Sequence, residues 1–118
     1  RNGFIIGNGF IKSGFIMKKN DVLRYYLEDG KVVKGFFLVN FKKNLPHLQH
    51  CYLSKASRNI DNLRLMVNVF KDMIKELGYQ AAFLHARSER QMKLIRYFFN
   101  RKKPYAFENN IAWYKVDI

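Results

Sequence analysis

Cysteine is almost missing from this chain: Cys51 is the only one in 118 residues. An internal disulfide is therefore excluded, which fits a reducing compartment and an intracellular rather than secreted protein. No run of about 20 apolar residues occurs, so no helix is expected to span a bilayer. The opening RNGFIIGNGFIKSGFI is apolar but is interrupted by Gly7, Gly9, Lys12 and Gly14. It also lacks a small-residue cleavage pattern, which argues against a secretory signal. Its three Gly-Phe-Ile copies, at Gly3, Gly9 and Gly14, are too few and too unevenly spaced for a solenoid. Met17 reads as a natural start, so residues 1–16 need not belong to the same folding unit; residues 1–20 are read as an N-terminal segment and 21–118 as the domain. That segment is expected to be mobile or to depend on a partner.

Negative charge is scarce too. Nine Asp and Glu stand against 22 Lys and Arg, for a net charge of +13 and a pI near 10.0. Such a balance favours a polyanionic partner: nucleic acid, a phosphorylated ligand or another anionic surface. General solubility is the plainer explanation. Apolar residues make up 48% and aromatics 16%, outside the disordered regime and enough for one core in a chain of this length.

Metal chemistry finds little support. On a strand, His47 and Cys51 share a face but stand ~13 Å apart, and His50 points the other way. Zinc ligands must converge within about 2.0–2.3 Å of one ion. The same opposition weakens a Cys51/His50 nucleophile. Gly7-Asn8-Gly9 has neither a third glycine nor a following helix, so it is no dinucleotide fingerprint.

The order of elements reads β-β-β-α-β-α-β-β. Asp21 to Leu27 and Lys31 to Phe41 are β-rich runs joined through Asp29-Gly30, a strong hairpin signal. A turn at KKNLP leads to a third strand, His47 to Leu53, with weak alternation. Ile60, Leu63, Val67, Phe70, Ile74 and Leu77 form one apolar stripe, which predicts a helix over 59–77 stopped by Gly78. QAAFLHA reads as a buried central strand. Ser88-Glu89-Arg90-Gln91 matches a capping box, opening a second helix with Met92, Ile95 and Phe99 inward. Pro104 bars further helix, and PYAFE and IAWYKVDI flank Asn109-Asn110 as a closing hairpin.

Glycine is absent where a strand passes into the long helix, at YLSKASRNIDNLR, Tyr52 to Arg64. A helix start attracts phosphate through unpaired N–H groups, and glycines allow close approach. Asp61 in the first turn stabilises the helix but repels a phosphate. Either Lys55, Arg58 and Arg64 replace backbone contacts, or the turn is an ordinary helix cap with a solvated basic face.

From its second strand to its last, this layout resembles the core of the GNAT superfamily of N-acetyltransferases, over about residues 21–118. The family's third core strand runs into a turn Arg/Gln-x-x-Gly-x-Gly/Ala that holds the diphosphate of acetyl-CoA. A later family helix begins Asn-x-x-Ala, carries a tyrosine seven residues on, and is followed by Gly-Phe. Here Arg58 stands at the Arg/Gln position, but the small positions read Asp61 and Leu63. Ser88 replaces the Asn, Ile95 stands at the tyrosine position, and the Gly-Phe pair reads Phe99-Asn100. The glycine-free turn looks like that of a divergent branch in short-tailed phages, which includes an internal virion protein.

The resemblance implies a GNAT-like fold with a mixed, mainly antiparallel sheet and two packed helices. Acetyl-CoA is the implied cofactor, met by Tyr52, Leu53, Ser54, Lys55, Arg58, Asn59, Arg64 and Ser88, with no metal. Remaining bases or acids are His50, His85, Tyr97 and Glu108; Tyr97 lies about 200° round the helix from Ile95 and faces elsewhere. The departures favour a non-catalytic binding or structural component, virion-associated or near nucleic acid. An active N-acetyltransferase with an unusual diphosphate turn and a plain nucleic-acid-binding module remain the alternatives. Lys55, Arg58, Arg90, Lys93, Arg101, Lys102 and Lys103 are the expected polyanion contacts, several of them near one sheet edge, with Tyr97 and Tyr105 available for stacking. A partner, or residues 1–20, would complete the N-terminal side of the sheet.

Overall fold

The computed structural model describes residues 34–101 and 103–118 in full, and strand segments within 2–33 by backbone pairing. The expected turn residue Gly30 and the expected polyanion contact Lys102 lie outside the described residues. So do the side chains of the Gly-Phe-Ile copies.

Among the described residues there are nine strands and two α-helices. The strands are β1 (Asn2–Ile6), β2 (Phe10–Gly14), β3 (Met17–Lys19), β4 (Val22–Asp29), β5 (Val32–Lys42), β6 (Leu45–Leu53), β7 (Ala81–Ala86), β8 (Ala106–Glu108) and β9 (Ile111–Asp117). The helices are α1 (Ile60–Glu76) and α2 (Glu89–Phe99). The sheet runs β1-β2-β4-β5-β6-β7-β9-β8, with β3 also on β4. Among the described residues every strand pairing is antiparallel except β6 with β7. From β4 onward the element order is the expected one, and the mixed, mainly antiparallel sheet with two helices is the expected fold class.

Turn chemistry fixes the hairpins. Lys43 and Asn44 between β5 and β6, and Asn109 and Asn110 between β8 and β9, all have positive φ, as a tight type I′ connection requires. Asn100 ends α2 in the left-handed region at φ 53°. The helix therefore stops four residues before Pro104, and a left-handed asparagine rather than the proline terminates it. Ser88 accepts from the Gln91 N–H as a capping box demands. The reciprocal bond is displaced, because Gln91 Oε1 accepts from the Arg87 N–H at 2.7 Å rather than from that of Ser88.

Both helices pack on one face of the sheet. Phe70 and Ile74 of α1 and Ile95 of α2 share a cluster with Phe37, Val39, Leu84 and Tyr114. The buried stripe of α1 is Met66, Val67, Val69, Phe70, Met73 and Ile74, so the expected line through Ile60 and Leu77 is corrected. Those two end residues are 47% and 43% exposed, because they overhang the sheet at either end of the helix. Phe70 meets Phe99 edge-on at 6.4 Å, and Lys71 Nζ donates to the Phe98 carbonyl at 2.8 Å, locking the helices side by side. Gly35 on β5 leaves room for α1: a Cβ there would stand 2.7 Å from both Met66 Cε and the Tyr52 carbonyl oxygen.

Strand β6 carries an irregularity that reverses part of the expected alternation. Val39 pairs with Leu48 and Leu38 with His50, leaving Gln49 as an extra residue. His47 and His50 therefore share the face away from the helices, while Cys51, opposite Phe37, turns toward α1. The expectation that His47 and Cys51 share a face is overturned. One inserted residue shifts a period-2 pattern by one step.

Candidate functional site: a cleft between two parting strands

The two central strands barely pair. β6 and β7 run parallel and meet at one position, His47 opposite Phe83. Beyond it they part, next to the bulge, and a cleft of about 350 Å³ opens between them under the two helices. Leu48, Leu63, Val67, Leu84 and Ile95 give it apolar walls, while His50, Cys51 and His85 bring polar atoms to it. A second cleft of about 610 Å³ continues from it along the start of α1, sharing Cys51, Leu63, Gln91 and Leu94. Tyr52, Leu53, Arg58, Asn59, Ser88 and Arg90 line this outer part.

Five of the eight expected cofactor contacts, Tyr52, Leu53, Arg58, Asn59 and Ser88, thus line one cleft. Ser54, Lys55 and Arg64 are not among its lining residues. Ser54 Oγ donates to Ser57 Oγ. Arg64 pairs with Asp61 at 3.0 Å and donates to the Tyr97 hydroxyl at 3.0 Å on the outer surface. Of the expected catalytic candidates, His50 and His85 line the inner cleft. Tyr97, 63% exposed, and Glu108, exposed at the end of β8, lie outside both clefts. Arg90 joins Arg58 from the other helix, but Lys93 lines a separate concavity with Arg87, Arg96 and the exposed Phe107. These basic residues are therefore divided between two concavities that share Ser88. Arg101 and Lys103 are exposed beyond α2.

The turn before α1 uses most of its own donors. A short 3₁₀ turn spans Lys55–Ser57. The Ser57, Arg58 and Asn59 N–H groups donate to the Ser54, Lys55 and Ser57 carbonyls. Asn59 caps α1 by accepting from the Asn62 N–H at 2.8 Å, and Asn62 Nδ2 donates to the Ser57 carbonyl. The side chains of Tyr52, Arg58, Asn59 and Arg90 line the outer cleft beside the start of α1. Arg58 is oriented by donating Nε to the Leu53 carbonyl at 2.9 Å, with its guanidinium over the Tyr52 ring.

Behind one wall of the inner cleft His85, which lines it, pairs with His47, which does not, a contact that sequence reasoning did not foresee. His47 Nε2 lies 2.9 Å from His85 Nδ1, and His47 Nδ1 lies 2.7 Å from Asn40 Oδ1. Both rings also lean on Trp113, at 5.1 and 5.4 Å. His47 is 5% exposed. Burial, then the nearby His85, Lys42 and His50, push its pKa down to about 4. His85 is lowered as well, by burial and then by Arg87 and His50. Cys51 lines the cleft, and burial pushes its thiol up to about 12. The thiol points at Met66 Sδ, 2.9 Å away. Among the described residues, no group of three or more His, Cys, Asp or Glu could hold a metal ion, and no helix is long and apolar enough to cross a membrane.

A mixed sheet whose central parallel strands part above the start of a long helix defines the GNAT acetyltransferase fold. Solved structures bear this out. An IAA acetyltransferase from Bacillus cereus superposes with a TM-score of 0.67 at 10% identity, over 83% of this chain and 79% of that one. A PaiA N-acetyltransferase from Thermoplasma acidophilum, in complex with coenzyme A, gives 0.66 at 15% identity, over 83% and 62%. A GNAT family acetyltransferase from Elizabethkingia anophelis with acetyl-CoA bound gives 0.61 at 13% identity, over 83% and 77%. The likeness is one of fold. No protein-family model matches the chain, and no curated protein matches it.

Proposed function

We propose that the chain binds a coenzyme A thioester along the joined clefts and catalyses acyl transfer to an amine. The observation that carries this reading is the parting of β6 and β7 over an apolar slot with His85 at its wall. The slot suits a narrow, mostly apolar arm. The outer cleft, with Arg58 and Arg90, suits a diphosphate met by side chains rather than by bare backbone. The thioester would supply the activated acyl group. This chain's own part is to hold it, to keep an amine beside it and to accept a proton. Of the four catalytic candidates, His50 and His85 are the two within the inner cleft, and His85 is the better fixed. Calorimetric titration with coenzyme A and acetyl-CoA tests the reading. Micromolar binding that Arg90→Ala weakens supports it, and no heat with either ligand removes it.

A second reading rests on a different observation. The N–H groups of the turn before α1 are largely spent within it, and Ile95, at the expected tyrosine position, is buried. These favour a non-catalytic component, of the virion-associated kind that the sequence suggests, using its basic concavities on a nucleic acid. Its nucleic-acid affinity should then fall steeply between 50 and 200 mM salt, as phosphate contacts require.

A further inference from the structure

We infer that Asn40 and His47 are positioning residues that fix the tautomer of His85, holding its proton on Nδ1 and presenting Nε2 to the cleft as a proton acceptor. The purpose of this arrangement rests on the acyl-transfer reading, but the arrangement itself is independent of it.

The direction of the chain follows from the donor inventory. Asn40 Oδ1 can only accept, so His47 Nδ1 carries the hydrogen that bridges their 2.7 Å separation. Burial keeps His47 neutral, so its Nε2 has a lone pair and no hydrogen. The 2.9 Å contact is therefore a bond donated by His85 Nδ1–H to His47 Nε2. In a neutral ring the other nitrogen, Nε2, is then the free base. It lies on the ring edge away from His47, and His85, unlike His47, lines the cleft.

The relay has a chemical consequence. His85 can take a proton at Nε2 and release it again without breaking the bond to His47, because Nδ1–H donates in both states. An alkylammonium entering the cleft would give one proton to Nε2, leaving a neutral amine and an imidazolium. The half-buried imidazolium returns that proton to solvent. The surrounding charges are Arg87 beside His85 and Lys42 beside His47, with His50 near both rings. All are basic groups that favour the unprotonated ring.

The test reads the ring nitrogens directly. A long-range ¹H–¹⁵N spectrum of ring-labelled histidine in the free protein at neutral pH should show His85 with its proton on Nδ1. Asn40→Asp reverses the polarity. Its carboxylate would hold His47 protonated, Nε2–H of His47 would donate to His85 Nδ1, and the His85 proton would move to Nε2. His47→Phe removes the partner and should leave His85 a mixture of both tautomers. Asn40 is only half-buried, so Asn40→Asp keeps the test available if His47→Phe fails to fold. An Nε2–H tautomer in the parent protein, or an unchanged tautomer in Asn40→Asp, overturns the inference. If the tautomers behave as stated but no acetyl transfer is found, the acyl-transfer reading fails and the relay stands. If transfer is found, Asn40→Asp should slow it roughly 10²-fold with acetyl-CoA affinity unchanged, as loss of a general base implies.

Discussion

Arg64 Nη2 donates to the Tyr97 hydroxyl at 3.0 Å, bridging the outer surfaces of α1 and α2. Each residue is an attractive functional candidate by its chemistry, one as an anion contact and the other as an acid. Their mutual bond, together with Asp61 on Arg64, accounts for both on the outside of the helix pair. Tyr97→Phe should therefore cost at most about 1 kcal/mol of stability, the worth of one exposed hydrogen bond. Coenzyme A affinity and any transfer rate should be unchanged. A tenfold loss in either would return Tyr97 to the site.

Arg90 reaches the outer cleft from α2, whereas Arg58 lines it and also braces the turn through the Leu53 carbonyl. Arg90→Ala should weaken coenzyme A about tenfold by calorimetry, in line with about 1.5 kcal/mol for a hydrogen bond to a charged group. Its melting temperature should hold. Arg58→Ala should lose both affinity and melting temperature.

His47 makes stability depend on acid. Its pKa falls from 6.5 in the unfolded chain to about 4 in the fold, so the folded state binds fewer protons between those values. Stability from this group is complete above pH 6.5 and is lost as pH falls toward 4. The part lost by pH 4 is roughly 3 kcal/mol. Urea midpoints measured from pH 7.5 to 4 should decline, and the decline should flatten in His47→Gln, which carries no titrating ring at that position.

Gly35→Ala would press a methyl group to within 3 Å of Met66 Cε, Leu53 Cδ2 and the Tyr52 carbonyl oxygen. Two of those neighbours are side chains that can give, but the third is backbone of β6. A loss of about 1–3 kcal/mol is expected, as for overpacking generally, read as a drop in urea midpoint at constant slope.

Local signals carried most of the fold. The Asn109-Asn110 turn, the Ser88 capping box and the α1 periodicity act over a few residues, so their physics can be read along the chain. The order of elements follows from them. Three features escaped. Gln49 as a bulge leaves no compositional mark, so the alternation of β6 was assigned to the wrong faces. The His47–His85 contact spans 38 residues and exists only because two strands meet in parallel. From sequence, His85 therefore reads as a lone strand histidine and His47 as one of three residues, with His50 and Cys51, that fail as a metal set. Arg58 and Arg90 are expected near one edge together with Lys93; that they share a cleft without it depends on how α2 lies beside α1, which the Phe70–Phe99 and Lys71–Phe98 contacts decide.

Gln49 shows that the opening between β6 and β7 is set by arithmetic more than by chemistry. Removing that one residue would keep every cross-strand partner on β5 while straightening the strand beside the gap. Swapping it for another amino acid would leave the count intact. A conventional substitution scan would then find position 49 unremarkable, and a single-codon deletion there would be the change that seals the groove.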